Sequence, residues 1–183
     1  MPTLTHYSQA DLPAALKWQA IAFMRVEWPY VFQGDGMFAT ETYPTAASPV
    51  HFVVAEGESL ISYAAVLRLA LEHQGATYQV YGFGNMFTFP PYRRRGYGRQ
   101  VLELATRFIL ASDVDLAILF SAPGVEQFYS ASGWELVDSP IYVGPPGQER
   151  VHQAAKMMLW VSNTGKRAKA AFIDAPLRIA ESW

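Results

Sequence analysis

With 183 residues, 51% of them hydrophobic and 16% charged, the chain has the composition of a folded globular protein and not of a disordered one. Its 14 Lys and Arg against 16 Asp and Glu leave a net charge of −2, which supplies no global attraction to nucleic acid or to an anionic membrane. The lack of cysteine removes disulfides, thiol nucleophiles and Cys-based metal centres. Such a length suits one domain, 1–183, with a sizeable core. The opening Met-Pro-Thr-Leu-Thr-His lacks a charged segment ahead of an apolar run, and no stretch of about 18 apolar residues follows. Neither a signal peptide nor a membrane span is expected, and a soluble, cytoplasmic protein is.

In chain order, residues 1–50 begin with Leu4 to His6, which suit a short strand. Asp11 is a candidate N-cap, with Pro13 tolerated in the first turn. Leu12, Leu16, Gln19, Ala20, Phe23 and Met24 follow at helical spacing, and the helix ends before Pro29. From 28 to 49, Trp28, Tyr30, Phe32, Phe38 and Tyr43 are interleaved with Gly34, Gly36, Pro44 and Pro49. Such a segment is either the wall of a binding site or core packing. The core part, 51–137, opens with a strand at His51–Glu56, a tight turn at Gly57-Glu58 and a central strand at Leu60–Leu71. A second turn at His73-Gln-Gly75 leads into a fourth strand, Tyr78–Phe89.

A helix opens at about Gly98, with Val101, Leu102, Leu104, Ala105, Phe108 and Ile109 on one apolar face. Leu116–Phe120 is a buried-type strand, and Val125–Ser132 a short helix stopped at Gly133. Trp134–Val137, closing the core part, and Met157–Val161, in the last part, 138–183, read as two further strands, and Pro140, Gly144, Pro145, Pro146 and Gly147 mark a loop between them. From Ser162, Lys166, Arg167 and Lys169 read as a solvated segment, and Phe172 to Trp183 is expected to pack back on the core. This order predicts an α/β or α+β domain around a mostly antiparallel sheet.

The chemistry concentrates in Tyr81 to Gly98. A strand, a Gly- and Arg-rich turn and a helix N-terminus make an anion site, because the turn amides point outward and the helix dipole adds roughly half a positive charge. Arg93, Arg94, Arg95 and Arg99 surround it, so a phosphate-bearing ligand is expected. The spacing is not that of a Walker A loop, and Gly82-x-Gly84 lacks the third glycine of a dinucleotide fingerprint.

Arg93-Arg-Arg-Gly96-Tyr-Gly98 matches Arg/Gln-x-x-Gly-x-Gly/Ala and resembles the acetyl-CoA motif of the GNAT superfamily of N-acetyltransferases. Phe128-Tyr129-x-x-x-Gly133-Trp134 resembles a second signature of that family. The resemblance covers residues 51–137 and implies the GNAT fold, a mixed, mostly antiparallel sheet flanked by helices. Within the superfamily, Tyr129-Ser-Ala-Ser-Gly-Trp134, Ser139-Pro, the Gly/Pro loop and Trp183 look like the aminoglycoside 2′-N-acetyltransferases. Where those enzymes carry acidic residues, this chain has Gly84-Asn85 and Pro176-Leu177.

The resemblance implies acetyl transfer from acetyl-CoA to a primary amine in a ternary complex. The backbone of Phe87, Thr88 and Phe89 would hold the acetyl and pantetheine portion, with Gly82 and Gly84 permitting close approach. The turn carrying Arg93, Arg94, Arg95, Gly96, Gly98 and Arg99 would grip the pyrophosphate. Tyr129 would donate to the leaving thiolate. Trp28, Tyr30, Tyr81, Asn85 and Tyr142 are candidates for the acceptor side. The base stays open among a water relay, Glu56, Glu72, His51 and His73. His6, His51, His73 and His152 lack ligand spacing, so no metal is expected. The acceptor is a small-molecule or peptide amine, and the family often forms homodimers. Two other readings are a catalytically idle CoA-binding module and a nucleic-acid binder that stacks bases on Tyr81, Phe87 and Tyr92.

Overall fold

The computed structural model describes residues 1–180 and 183. Its elements in chain order are β1 (Thr3–Ser8), α1 (Ala14–Glu27), β2 (Val50–Glu56), β3 (Ser59–His73), β4 (Ala76–Thr88), α2 (Tyr97–Leu110), β5 (Leu116–Ser121) and α3 (Glu126–Ser130). They continue with β6 (Glu135–Leu136), β7 (Ile141–Val143), β8 (Arg150–Val151), β9 (Ala155–Trp160), α4 (Asn163–Asp174) and β10 (Leu177–Ile179). The chain forms two compact units, Met1–Leu67 with Asn85–Ala105 and Arg68–Gly84 with Thr106–Trp183. β3, β4 and α2 therefore each begin in one unit and end in the other. No described helix is long and apolar enough to cross a membrane.

In the first unit β1 runs antiparallel to β2, and β2 antiparallel to β3 around the Gly57 turn, where φ is 58°. Alternation puts Val53, Ala55, Tyr63 and Ala65 on one face, and Leu12, Leu16, Ala20 and Met24 of the α1 side close over them. Asp11 is not the N-cap of α1. It accepts from Ser8 Oγ at 2.6 Å in the preceding turn, and Pro13 precedes the helix with no side-chain cap. The proline fixes the entry by its own φ of −55°.

The segment between α1 and β2 is built of short 3-10 turns at Pro29–Val31, Gly34–Phe38 and Thr45–Ala47. It divides between the two readings of its aromatics. Trp28, Phe32 and Tyr43 pack on the core, whereas Tyr30 and Phe38 are 69% and 79% exposed. Arg25 ties the segment to α1, with its guanidinium 4.8 Å from the Phe32 ring centre and a bond to the Ala39 carbonyl at 3.1 Å.

The second unit holds a mixed sheet of order β4-β5-β9-β6, parallel between β4 and β5 and antiparallel thereafter. The loop expected from its glycines and prolines contains two short strands. β7 pairs with β8 and, in parallel, with β10. The solvated segment from Ser162 is the helix α4, capped by Ser162 Oγ, which accepts from Gly165 N at 3.1 Å. Lys166 and Arg167 do face water, while Gly165, Ala168 and Phe172 are buried at helical spacing. Phe172, Leu177, Ile179 and Trp183 return to the core as expected; Glu181 and Ser182 lie outside the described residues. Lys156 is 2% exposed and donates to Ser139 Oγ, and burial pushes its pKa down to about 8.

Asp115 anchors this unit at the start of β5. Its carbonyl accepts from Val161 N at 3.0 Å and Ser162 N at 3.1 Å. Its carboxylate accepts from Ser162 Oγ at 2.7 Å and Gln79 N at 3.0 Å. α4 lies so close that a Cβ on Gly165 would stand 1.9 Å from the Asp115 carbonyl oxygen. Gly165→Ala is therefore expected to cost roughly 2–3 kcal/mol by overpacking, read by urea unfolding. A loss below about 0.5 kcal/mol, the scatter of neutral surface changes, contradicts this packing.

Candidate functional site

In the first unit the end of β4 is fixed from β3. Ser62 Oγ donates to the Phe87 carbonyl at 2.8 Å and lies 2.8 Å from Thr88 Oγ1, and Phe89 N donates to the Ile61 carbonyl at 3.0 Å. Phe87 is buried, stacked on Phe23 at 4.2 Å and on Tyr63 at 5.4 Å, with Trp28 at 6.4 Å. Strand alternation turns the Thr88 N–H and carbonyl to the opposite edge. There Arg93 Nε meets the carbonyl at 2.9 Å. One of the four arginines is thus engaged in shaping the turn.

The turn itself holds two left-handed residues, Arg94 at φ 62° and Gly96 at φ 82°. Alternating handedness of this kind makes successive N–H groups converge outward. The Gly96 carbonyl accepts from Gln100 N at 3.1 Å and so opens α2. The N–H groups of Tyr97, Gly98 and Arg99 lie before that first bond, where a helix leaves its donors without a partner. Arg95 sits over the Tyr92 ring at 5.9 Å, and Arg99 pairs with Glu103 at 3.6 Å. Arg94, Arg95 and Arg99 are exposed. The donor set and its charge fit a pyrophosphate.

In the second unit the β4–β5 ladder runs from Val80↔Leu116 to Phe83↔Leu119. Asn85, two residues beyond Phe83, has a left-handed φ of 51°, the local signature of a bulged strand. Tyr129 on α3 meets the Phe83 ring edge-on at 6.4 Å. Its hydroxyl has no hydrogen-bond partner among the described residues, and burial raises its pKa to about 12. Gly133, at φ 90°, ends α3 and delivers Trp134 into the core. There the indole donates to Thr106 Oγ1 at 3.0 Å and flanks Phe83 at 5.7 Å. The Phe-Tyr-x-x-x-Gly-Trp spacing thus sets the tyrosine beside β4 by burying the tryptophan.

Other expected residues have different neighbours. Gly82 is approached by the Trp183 indole, 2.5 Å from where a Cβ would be, and not by open space for a ligand. Tyr81 is buried with its ring 5.8 Å from Phe108. Tyr142 lies under the Arg178 guanidinium at 4.7 Å, and Tyr30 stands exposed on its 3-10 turn. One polar group had no sequence signal beyond its place at the end of an apolar strand. Ser121 is 5% exposed, and its hydroxyl has no partner among the described residues. No cluster of His, Asp or Glu among the described residues is placed to hold a metal ion.

A family model for the acetyltransferase (GNAT) domain matches residues 4–137. Among solved structures the chain is similar to a GNAT family N-acetyltransferase (YhbS) from Escherichia coli in complex with CoA, at 16% identity over 99% of this chain and 91% of that one, with a TM-score of 0.59. It is similar to the ribosomal-protein-S18-alanine N-acetyltransferase of E. coli at 20% identity over 88% and 95%, with a TM-score of 0.54. It also resembles a probable N-acyltransferase from Enterococcus faecalis at 14% identity over 75% of this chain, with a TM-score of 0.52, and spans about a third (33%) of that protein's length. At these identities the likeness is one of fold.

The groups considered for the base are placed as follows. Glu56 pairs with the Met1 amino group at 2.8 Å, and Glu72 is exposed on β3. His73 is held by the Ala171 carbonyl at 2.9 Å against Phe172. His51 is fully buried between Tyr63 OH at 2.8 Å and Gln9 Oε1 at 2.7 Å; Gln9 in turn donates to Glu41, which also accepts from Lys17 at 2.6 Å. The amide oxygen only accepts, so Nε2 of His51 carries the proton and Nδ1 accepts from Tyr63. Burial pushes the His51 pKa from 6.5 to about 4, which makes it a weak base sealed in the core.

The same shift sets a pH dependence. The unfolded chain takes up the His51 proton near pH 6.5 and the folded chain only near pH 4, so this contribution is intact above pH 6.5 and is lost as pH falls toward 4. It amounts to about 3 kcal/mol. His51→Gln should flatten the fall in unfolding free energy between these pH values relative to the parent. Parallel pH profiles for the two proteins would remove this assignment.

Proposed function

The chain belongs to the acetyltransferase (GNAT) family, and from that premise we propose that it transfers the acetyl group of acetyl-CoA to a primary amine by direct attack within a ternary complex. The observation that carries this reading is the Arg93–Arg99 turn, whose left-handed residues and unpaired helix amides aim donors at one anion. The amides from Arg95 to Arg99 bind the pyrophosphate, and Arg94, Arg95 and Arg99 neutralise it. The end of β4, held rigid by Ser62, Ile61 and Arg93, presents its free edge to the pantetheine as an added strand would be presented.

Tyr129 acts on the leaving group. The amine nitrogen bonds to the thioester carbon, the carbon–sulfur bond breaks, and the electron pair stays on sulfur. A thiol of pKa about 8.5 faces a hydroxyl of pKa about 12. Full proton transfer from Tyr129 is therefore uphill by several kcal/mol. Tyr129 serves as a hydrogen-bond donor that stabilises the thiolate as it forms. The surplus amine proton leaves through water, since His51 and His73 are committed to the core.

The acceptor is a small-molecule or peptide amine, and the aminoglycoside branch is one class to include among those tried. The placement of His51 and His73 also favours a second reading, a module that binds CoA without turning it over. Thiol release from acetyl-CoA in the presence of a panel of amines separates the two. Tyr129→Phe should lower turnover by roughly 10²-fold with little change in the KM for acetyl-CoA. Unchanged turnover would remove Tyr129 from the chemistry, and CoA binding without thiol release for any amine would favour the idle module.

A further inference from the structure

An ammonium group carries three donors, and a charge taken out of water is stable only where the interior replaces most of the bonds it loses. Lys156 on β9 is 2% exposed, and its one hydrogen-bond partner among the described residues is Ser139 Oγ. Asp138 beside that serine is exposed, and it attracts the charge without bonding to it. The site thus suits a neutral amine better than an ammonium.

Ser139 in turn donates its own proton to the Phe172 carbonyl at 2.7 Å. That carbonyl lies in the last turn of α4, where its helical donor would come from four residues on. The residue there is Pro176, which has no N–H, so Ser139 supplies the missing donor. One residue beyond the proline, Leu177 N donates to the Pro140 carbonyl at 2.8 Å, and β10 then runs beside β7 from Leu177↔Ile141. The Lys156–Ser139–Phe172 chain therefore sits at one joint of the second unit, where α4 passes into β10 and β7 begins.

We propose that Lys156 is a charge-operated latch on this joint: its neutral amine leaves α4, β7 and β10 closed, and its ammonium opens the joint locally so that water reaches the charge. The latch does not rest on the acetyl-transfer reading. Burial supports it, drawing the amine from 10.5 to about 8 against the pull of Asp138. The open joint therefore binds the proton more tightly than the closed one. Opening takes up a proton between pH 8 and 10.5 and becomes rarer as pH rises through that window; below pH 8 both forms carry the proton and the full cost stands. The other charged and titratable groups on the surrounding elements have places of their own. Glu135 pairs with Lys169, Glu149 with Arg178, and Asp115 accepts from Ser162. His73 donates to the Ala171 carbonyl, Tyr78 meets Phe172 edge-on, and Tyr142 lies under Arg178. Lys166 and Arg167 face water, and Asp174 ends α4.

The test is amide hydrogen exchange of the full chain as a function of pH. It is read at Leu177 N, bonded to Pro140 across the joint, and at Val161 N, bonded to Asp115 outside it. After division by the intrinsic rate, the opening constant at Leu177 should fall by about tenfold per pH unit above 8, the slope of one proton, while that at Val161 stays level. In Lys156→Met the opening constant at Leu177 should lie below the parent's at pH values under 8 and should not change with pH. Lys156→Gln, which keeps a donor for Ser139, should be equally flat. The same pH profile at Leu177 in the parent and both variants overturns the proposal. A fall shared in full by Val161 makes the effect one of overall stability and overturns the latch as well.

Discussion

A helix cannot satisfy the peptide N–H groups of its own first turn, and this chain leaves that deficit at the start of α2 open to solvent. Everything around the turn maintains it. Left-handed Arg94 and Gly96 aim the amides outward, Arg93 locks the turn to the Thr88 carbonyl, and Ser62 and Ile61 hold the end of β4. On the other side of the turn, α2 is seated by Val101, Leu102 and Ala105, all fully buried. A solvated turn of arginines would need none of this support; a preorganised anion site does, because its donors must be in place before the anion arrives.

The buried polar groups divide by whether the fold satisfies them. His51, Tyr63, Gln9, Glu41 and Lys17 form a chain of hydrogen bonds that ends in an ion pair and links β2, β3 and α1. Lys156 is buried with a serine hydroxyl for company and yields part of its charge to burial. Near the end of the β4–β5 ladder, Ser121 is buried with no partner for its hydroxyl among the described residues, and Tyr129 is half-buried.

The legible parts of the sequence were those where one short-range pattern dominates. The apolar runs that became β2, β3, β4 and β5, and the Arg-Arg-Arg-Gly-Tyr-Gly turn before an amphipathic helix, each carry their signal within about a dozen residues. Where the signal was shared among weak terms, it was missed. α4 hides its buried stripe in Gly165, Ala168 and Phe172 among lysines and arginines, so its charge outweighed its periodicity. β7, β8 and β10 are two or three residues long and sit among glycines and prolines. The indole of Trp183 over Gly82 joins positions a hundred residues apart, and no local pattern announces it. Asp11 looked like a cap because of its type, yet Pro13 sets where α1 begins. The half-burial of Tyr129 beside Phe83 and the orphaned hydroxyl of Ser121 are properties of the packed chain.

The most direct measurement is the thermal unfolding of the parent with and without CoA, beside Gly96→Val and the double variant Arg95→Ala/Arg99→Ala. A β-branched residue is strained at the φ of 82° that Gly96 adopts, and the double variant removes charge while leaving the backbone as it is. With CoA at about 100 times its dissociation constant, the parent should gain roughly 2.7 kcal/mol. The account predicts that gain for the parent and most of it lost in both variants. A parent unmoved by millimolar CoA, or variants stabilised as much as the parent, would contradict the assignment of this turn to the pyrophosphate.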